Sequence, residues 1–248
     1  MMGGTPAHWP VDLSAKSVSL DEIRAWRDLF RQEMHCQIVH DSLHPRPGWT
    51  QTWQLEAGGA PAGYGSIVLG GPWTGTRTVF EFYVLPPRRT LVFDLFATLL
   101  AASNATAVMA QTNDTLLTVM LHAKTHNLVS ESIVFEDKLT TAHAANGAAL
   151  RRRGEPDNDW VLELGGEVAA KGGILYHYNR PYGDIYMEVA EPFRRRGLGC
   201  FLVQELKRIC YEMGSVPCAR CNPGNEASKK TLQKAGFVPY AHILTGSL

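Results

Sequence analysis

The chain has 248 residues, 24 Lys+Arg against 24 Asp+Glu, and 45% hydrophobic residues. That is enough for one or two domains with a sizeable core, and it excludes wholesale disorder. Balanced charge argues against a generic nucleic-acid binder. No apolar run reaches the roughly 18 residues of a spanning helix, and the opening MMGGTPAHWPVDLS lacks the order of a signal peptide. The expectation is a cytoplasmic protein with no nucleic-acid or membrane partner.

Residues 1–19 read as a leader and 20–36 as a helix, with Ser19 and Glu22 as a capping box and Ile23, Trp26, Leu29 or Phe30, and Met34 at helical spacing. Strand-like runs follow at 49–56, 63–69 and 78–85, then helix 91–102, strand 108–111, helix 116–124 and strand 129–135. The same order returns at 160: strands 160–164, 169–178 and 184–190, helix 199–213, strand 216–221, helix 226–234 and strand 237–244. Landmarks match between the halves. Gly58-Gly59 answers to Gly165-Gly166 at an offset of 107, Val84 and Pro87 to Val189 and Pro192 at 105, and Asn127-Leu128 to Gly236-Phe237 at 109. Glycine closing a helix takes a left-handed conformation, and Asn is its usual substitute. The pattern is a tandem duplication: leader 1–19, first domain 20–139, connector 140–159, second domain 160–248. The helix before the strands of the first half has no room in the second.

Five cysteines, Cys36, Cys200, Cys210, Cys218 and Cys221, are an odd number without a secretion signal, which reads as reduced thiols. Cys218 and Cys221 form a lone CxxC inside a strand, without the second pair a zinc site needs, so no metal is expected.

The chemistry concentrates at 184–237. A strand, DIYMEVA, leads through Glu191-Pro192-Phe193 into Arg194-Arg195-Arg196-Gly197-Leu198-Gly199 and then an amphipathic helix. Unpaired amides at a helix start, the helix dipole, glycines and arginines together make an anion site. A dinucleotide fingerprint needs a third glycine where Leu202 stands, so that reading fails. Some 26 residues later comes Asn225-x-x-Ser228-x-x-x-Leu232-x-x-x-Gly236-Phe237. Arg-x-x-Gly-x-Gly after a strand, followed at this distance by that second motif, resembles the GNAT acyltransferase superfamily, and the likeness covers about 85 residues.

The resemblance implies an α/β (α+β) fold of two tandem GNAT-like domains, each a mixed, mainly antiparallel sheet flanked by helices. It implies an N-acetyltransferase that moves an acetyl group from acetyl-CoA to a small-molecule amine by direct attack in a ternary complex. Acetyl-CoA would lie between the fourth and fifth strands. Met187, Glu188 and Val189 would hold its pantetheine arm. Arg194, Arg195, Arg196, Gly197, Leu198, Gly199 and Cys200 would hold its pyrophosphate, and Asn225 with Ser228 would contact the arm. A fourth-strand amide near Val189 would serve the oxyanion. Strand alternation puts Asp184, Tyr186 and Glu188 on one face; Glu188 is the first candidate base and Asp184 the second. Where many relatives carry a tyrosine as general acid, this chain has Leu232. Either another group protonates the thiolate, with Tyr186, Tyr211 and Tyr240 as candidates, or it leaves unassisted. The competing class is a CoA-binding sensor or scaffold without turnover.

In the first half the corresponding loop is Pro87-Arg88-Arg89-Thr90-Leu91-Val92-Phe93-Asp94. Val92 and Asp94 replace the two glycines, and the position under Asn225 falls at about Leu116. The expectation is a domain that keeps the fold and has lost the cofactor.

Overall fold

The computed structural model describes residues 11–35, 38–153 and 159–248. Cys36, most of the leader's first part and five residues of the connector lie outside the described residues.

The elements run β1 (Leu13–Val18), α1 (Arg24–Glu33), α2 (His40–Leu43), β2 (Thr50–Ala57), β3 (Ala60–Val68), β4 (Thr78–Val84), α3 (Val92–Ser103), β5 (Ala107–Gln111), α4 (Thr115–Lys124) and β6 (His126–Asp137). They continue with β7 (Ala148–Arg152), β8 (Asp159–Leu164), β9 (Glu167–Leu175), β10 (Tyr182–Val189), α5 (Leu198–Glu212), β11 (Val216–Cys221), α6 (Glu226–Lys234) and β12 (Phe237–Ser247). Two elements differ in kind from the sequence reading. Part of the expected leader is β1, an edge strand on β2, and part of the expected connector is β7, an edge strand on β8. Both are short and half exposed: β1 alternates only over Leu13 to Lys16, and β7 sets two alanines and a leucine before two arginines, so neither is long enough to mark a strand by pattern. The first helix starts later than expected, at Arg24. Glu22 accepts the Ser19 amide at 2.7 Å, but the Ser19 hydroxyl donates to Glu22 as well, so only half a capping box forms.

All twelve described strands form one sheet in the order β1-β2-β3-β4-β5-β12-β6-β11-β10-β9-β8-β7. Exchanging each strand for the one six places on in chain order reads the sheet backwards, so the duplication is also a pseudo-two-fold. At its centre the halves trade their last strands: β12 pairs with β5, and β6 pairs with β11. Hydrophobic patterning shows that residues 129–135 and 237–244 are strands; it carries no record of which neighbour each one takes.

The matched landmarks have matched geometry. Both Gly-Gly hairpin turns have positive φ, 61° and 74° at Gly58-Gly59 and 63° and 85° at Gly165-Gly166. Asn127 and Gly236 are both left-handed. A Cβ at Gly65 would press on Leu99, and one at Gly172 would meet Leu206. In each half a leucine of the long helix thus seats on a glycine of the third strand. Two cores lie under the paired helices: Leu95, Phe96 and Leu99 of α3 over β2 to β4, and Leu202, Val203 and Leu206 of α5 over β9 to β11. A third lies on the other sheet face at the seam, where Ile38, Val39 and Leu43 cover Phe80, Met109, Val134, Cys218 and Ile243. Helices α1 and α2 have no counterpart among the described residues of the second half.

Candidate active site

Strands β10 and β11 run parallel and are paired from Tyr182↔Val216 to Ile185↔Ala219. Beyond Ile185 they separate. On the α5 side the opening is a cleft of about 680 Å³. Its walls include Met187, Glu188 and Val189 of β10, the loop residues Arg194, Arg195, Gly197, Leu198, Gly199 and Cys200, and Asn225 and Ser228 of the second motif. The structure therefore brings together eleven of the residues named from the sequence.

The loop is shaped by two left-handed residues, Arg195 (φ 61°) and Gly197 (φ 79°). Gly197 precedes the first turn of α5, and among the described residues the amides of 195–200 donate to no protein acceptor. Such a row of free N–H groups at a helix start is a seat for an anion. The three arginines divide the work. Arg194 Nε donates to the Val189 carbonyl at 3.1 Å and ties the loop to β10. Arg196 stacks over Phe193 at 5.5 Å and is not part of the cleft wall, unlike Arg195. Asn225 caps α6, its Oδ1 accepting from the Ser228 amide at 3.0 Å. Cys200 Sγ faces the Thr231 carbonyl, and burial pushes its thiol pKa up. Sequence reasoning missed Phe193, Ala227, Lys230, Thr231 and Lys234, which also line the cleft. The last four share one face of α6 at helical spacing, so that periodicity was the signal available.

The second mouth of the opening has a volume of about 220 Å³ and shares Met187 and Ser228 with the first. Asp184 lies here, its side chain 6% exposed, accepting from Arg220 Nε at 3.0 Å. Burial pushes the Asp184 carboxyl up to about 6, with Arg220 offsetting part of the rise. Glu188, on the same strand face, is 62% exposed and ion-paired with Lys171 at 3.0 Å. The tyrosines scatter. Tyr186 lines this mouth and its hydroxyl donates to Asp159; Tyr211 donates to Asp137 at 3.0 Å; the Tyr240 ring lies against His35. Leu232 is buried and lines the same mouth.

Cys218 and Cys221 face opposite sides of β11, Cys218 in the seam core and Cys221 in the core under α5, so they form no chelating pair.

In the first half β4 and β5 also separate, after Val79↔Val108. The chain then runs through a tight turn, Pro86–Leu91, straight into α3, without any left-handed residue and hence without a row of free amides. The residue that corresponds to Asn225 is Asp114, which caps α4 through the Leu117 amide at 3.0 Å, rather than Leu116. On β4, past the point where it parts from β5, Glu81 is fully buried and takes a bidentate Arg27 at 2.7 and 3.2 Å. His40 and His44 stand 3.5 and 3.2 Å from Glu81, off hydrogen-bond alignment.

Residues 124–237 match the Acetyltransferase (GNAT) family. The chain carries a GNAT domain. Its matched segment runs from β6 through α6 and takes in both motifs of the cleft. The whole chain has the fold of known GNAT structures. It is similar to an acetyltransferase from the GNAT family from Colwellia psychrerythraea, at a TM-score of 0.76 and 13% identity, covering 95% of this chain and 99% of that one. It is similar to a tandem GNAT protein from the clavulanic acid biosynthesis pathway, at 0.64 and 14%, covering 95% and 98%. It is also similar to a GCN5-related N-acetyltransferase from Sphaerobacter thermophilus, at 0.59 and 13%, covering 95% of each. No curated protein matches the sequence. The tandem GNAT arrangement of the fold agrees with the duplication read from the landmarks. No described helix is long and apolar enough to cross a membrane.

Proposed function

We propose that the chain transfers an acetyl group from acetyl-CoA to a primary amine by direct attack in a ternary complex, with the donor held in the second half. The observation that carries this reading is the parting of β10 and β11 beyond Ile185, with free loop amides on one side and a buried carboxylate on the other. The residues fit the donor. The row of amides at 195–200 suits a pyrophosphate, Lys230 and Lys234 add positive charge, and the unpaired edge of β10 suits an amide-bearing arm. Acetyl-CoA supplies the activated thioester.

Asp184 takes the role of base ahead of Glu188. It sits where the strands part, is sheltered from water, and its raised pKa puts it nearer neutrality. Arg220 holds its carboxylate in place. Glu188 is held by Lys171 in solvent at the rim. With Leu232 in the usual acid position, the thiolate leaves unassisted, which a thiol pKa of about 8.5 permits.

Calorimetric titration with acetyl-CoA tests the reading. One site per chain is expected, lost in Gly197→Val/Gly199→Asp. Valine is strained at the left-handed Gly197, and a side chain at Gly199 crowds Thr231 and Val189 at 3.3 Å. Binding with turnover separates the enzyme from a CoA-binding scaffold; absence of binding overturns both.

A further inference from the structure

A separate cavity of about 220 Å³ lies on the seam, on the sheet face that carries Asp184. The first half supplies Trp49, Trp73 and Arg46, and the second supplies Tyr178 and Arg220, with Glu131 of β6 at the wall. Arg220 lines both this cavity and the mouth at Asp184. Its guanidinium lies 4.4 Å from the Tyr178 ring centre while its Nε holds Asp184 at 3.0 Å. Arg220 is therefore the wall between this cavity and the Asp184 carboxylate and touches both.

We propose that this cavity is the acceptor site and that the acceptor is a planar primary amine carrying a carboxylate or similar anion; the proposal rests on the acyl-transfer reading above. The wall is aromatic: Arg46 and the Gly70-Gly71 backbone cover Trp49, and His177 and Arg220 stack on Tyr178, so a flat body meets Trp73 and the rims of the other two rings. The Trp49 indole lies directly on the Gly70-Gly71 backbone, where an added Cβ would come within 2.6 and 2.1 Å of the ring, so this wall is fixed in place. Arg46 stacks on the same indole at 4.3 Å, and no carboxylate among the described residues pairs with it. A guanidinium already stacked, and without an acidic partner, is pre-organised for an anion from outside. Arg220 cannot serve, because Asp184 neutralises it. Glu131, which accepts from the Thr245 hydroxyl at 3.0 Å, adds negative charge that favours the ammonium form on entry.

The test is binding of 4-(aminomethyl)benzoate to the full chain, with and without CoA, followed by tryptophan fluorescence and calorimetry. Benzylamine, which lacks the anion, and putrescine, which lacks the ring, are the comparators. The expected result is at least about tenfold tighter binding of 4-(aminomethyl)benzoate than of either comparator. Arg46→Gln, an exposed change, should reduce it to the benzylamine level with acetyl-CoA affinity and Tm unchanged. Equal binding of the three amines, or an Arg46→Gln protein that binds as the parent does, overturns the proposal. Because the readout needs no turnover, it fails independently of the acyl-transfer reading, which the acetyl-CoA titration decides.

Discussion

Arg89 and Arg194 make the same bond at corresponding points of the two halves. The Nε of each donates to the carbonyl of the valine five residues earlier, Val84 at 3.2 Å and Val189 at 3.1 Å. The lock between strand and loop has survived in both copies, while the loop beyond it has diverged. After Arg194 the chain takes two left-handed residues and frees its amides; after Arg89 it coils directly into α3, and Arg89 turns to Glu33. Arg194→Met should weaken acetyl-CoA binding about tenfold, the loss of one charge-assisted contact, whereas Arg89→Met leaves it unchanged. Each should cost about 1 kcal/mol of stability. Calorimetry beside denaturant melts of the two variants reads both effects.

The cleft was legible in the sequence because its determinants are local. Glycine at a left-handed position, asparagine before a helix, and a strand running into both can be read within 50 residues. What escaped depends on long-range pairing. Arg220 is an ordinary strand residue until β11 is laid beside β10, 36 positions back, and meets Asp184. Glu81 and Arg27 are 54 positions apart. The exchange of β6 and β12 leaves each strand's pattern intact and changes only its neighbours. Glu188 and Asp184 were equivalent by alternation; burial alone separates them.

The proposed role of Asp184 as base sets an expected acid limit on the reaction. A base must be deprotonated to act, so kcat/KM should fall as pH drops through about 6. Asp184→Asn should lower kcat by about 10²–10⁴ while leaving acetyl-CoA affinity unchanged. Arg220→Gln removes the cation that lowers this carboxyl's pKa, so the acid limb should move to higher pH. Glu188→Gln should leave the limb in place. Rate profiles of the three variants against pH check all of these; a limb that follows Glu188 would reverse the assignment.

Asp114 caps α4 with one oxygen while the other is buried without a partner. Burial pushes its carboxyl up to about 7, with the Leu117 amide opposing. The folded state thus holds a proton that the unfolded chain releases near pH 4, so this group's contribution to stability is full at low pH and is lost as pH rises from about 4 to 7. The second half uses asparagine, Asn225, for the same cap. Asp114→Asn should therefore stabilise the protein at pH 8 by about 2–4 kcal/mol, and by much less at pH 4. Melts at the two pH values compare parent and variant.

Buried charges gather around Glu81 on β4, past the point where β4 and β5 part. Burial alone would raise the Glu81 pKa, but Arg27 outweighs it and holds the carboxyl well below its usual range. Arg27→Met leaves that carboxylate buried without its main partner and should cost about 3–5 kcal/mol. Arg27→Met/Glu81→Met removes both charges and should recover part of the loss, since desolvation is then relieved. His40 adds a pH dependence of the opposite sign to that of Asp114. Burial lowers its pKa to about 4, so the fold keeps it neutral, and its contribution, full above about 6.5, is lost as pH falls toward 4. Denaturant melts from pH 4 to 7 of the parent, Arg27→Met and the double variant measure these terms. Acetyl-CoA affinity should remain at the parent value in the double variant, because every residue lining the proposed donor cleft belongs to the other half of the chain.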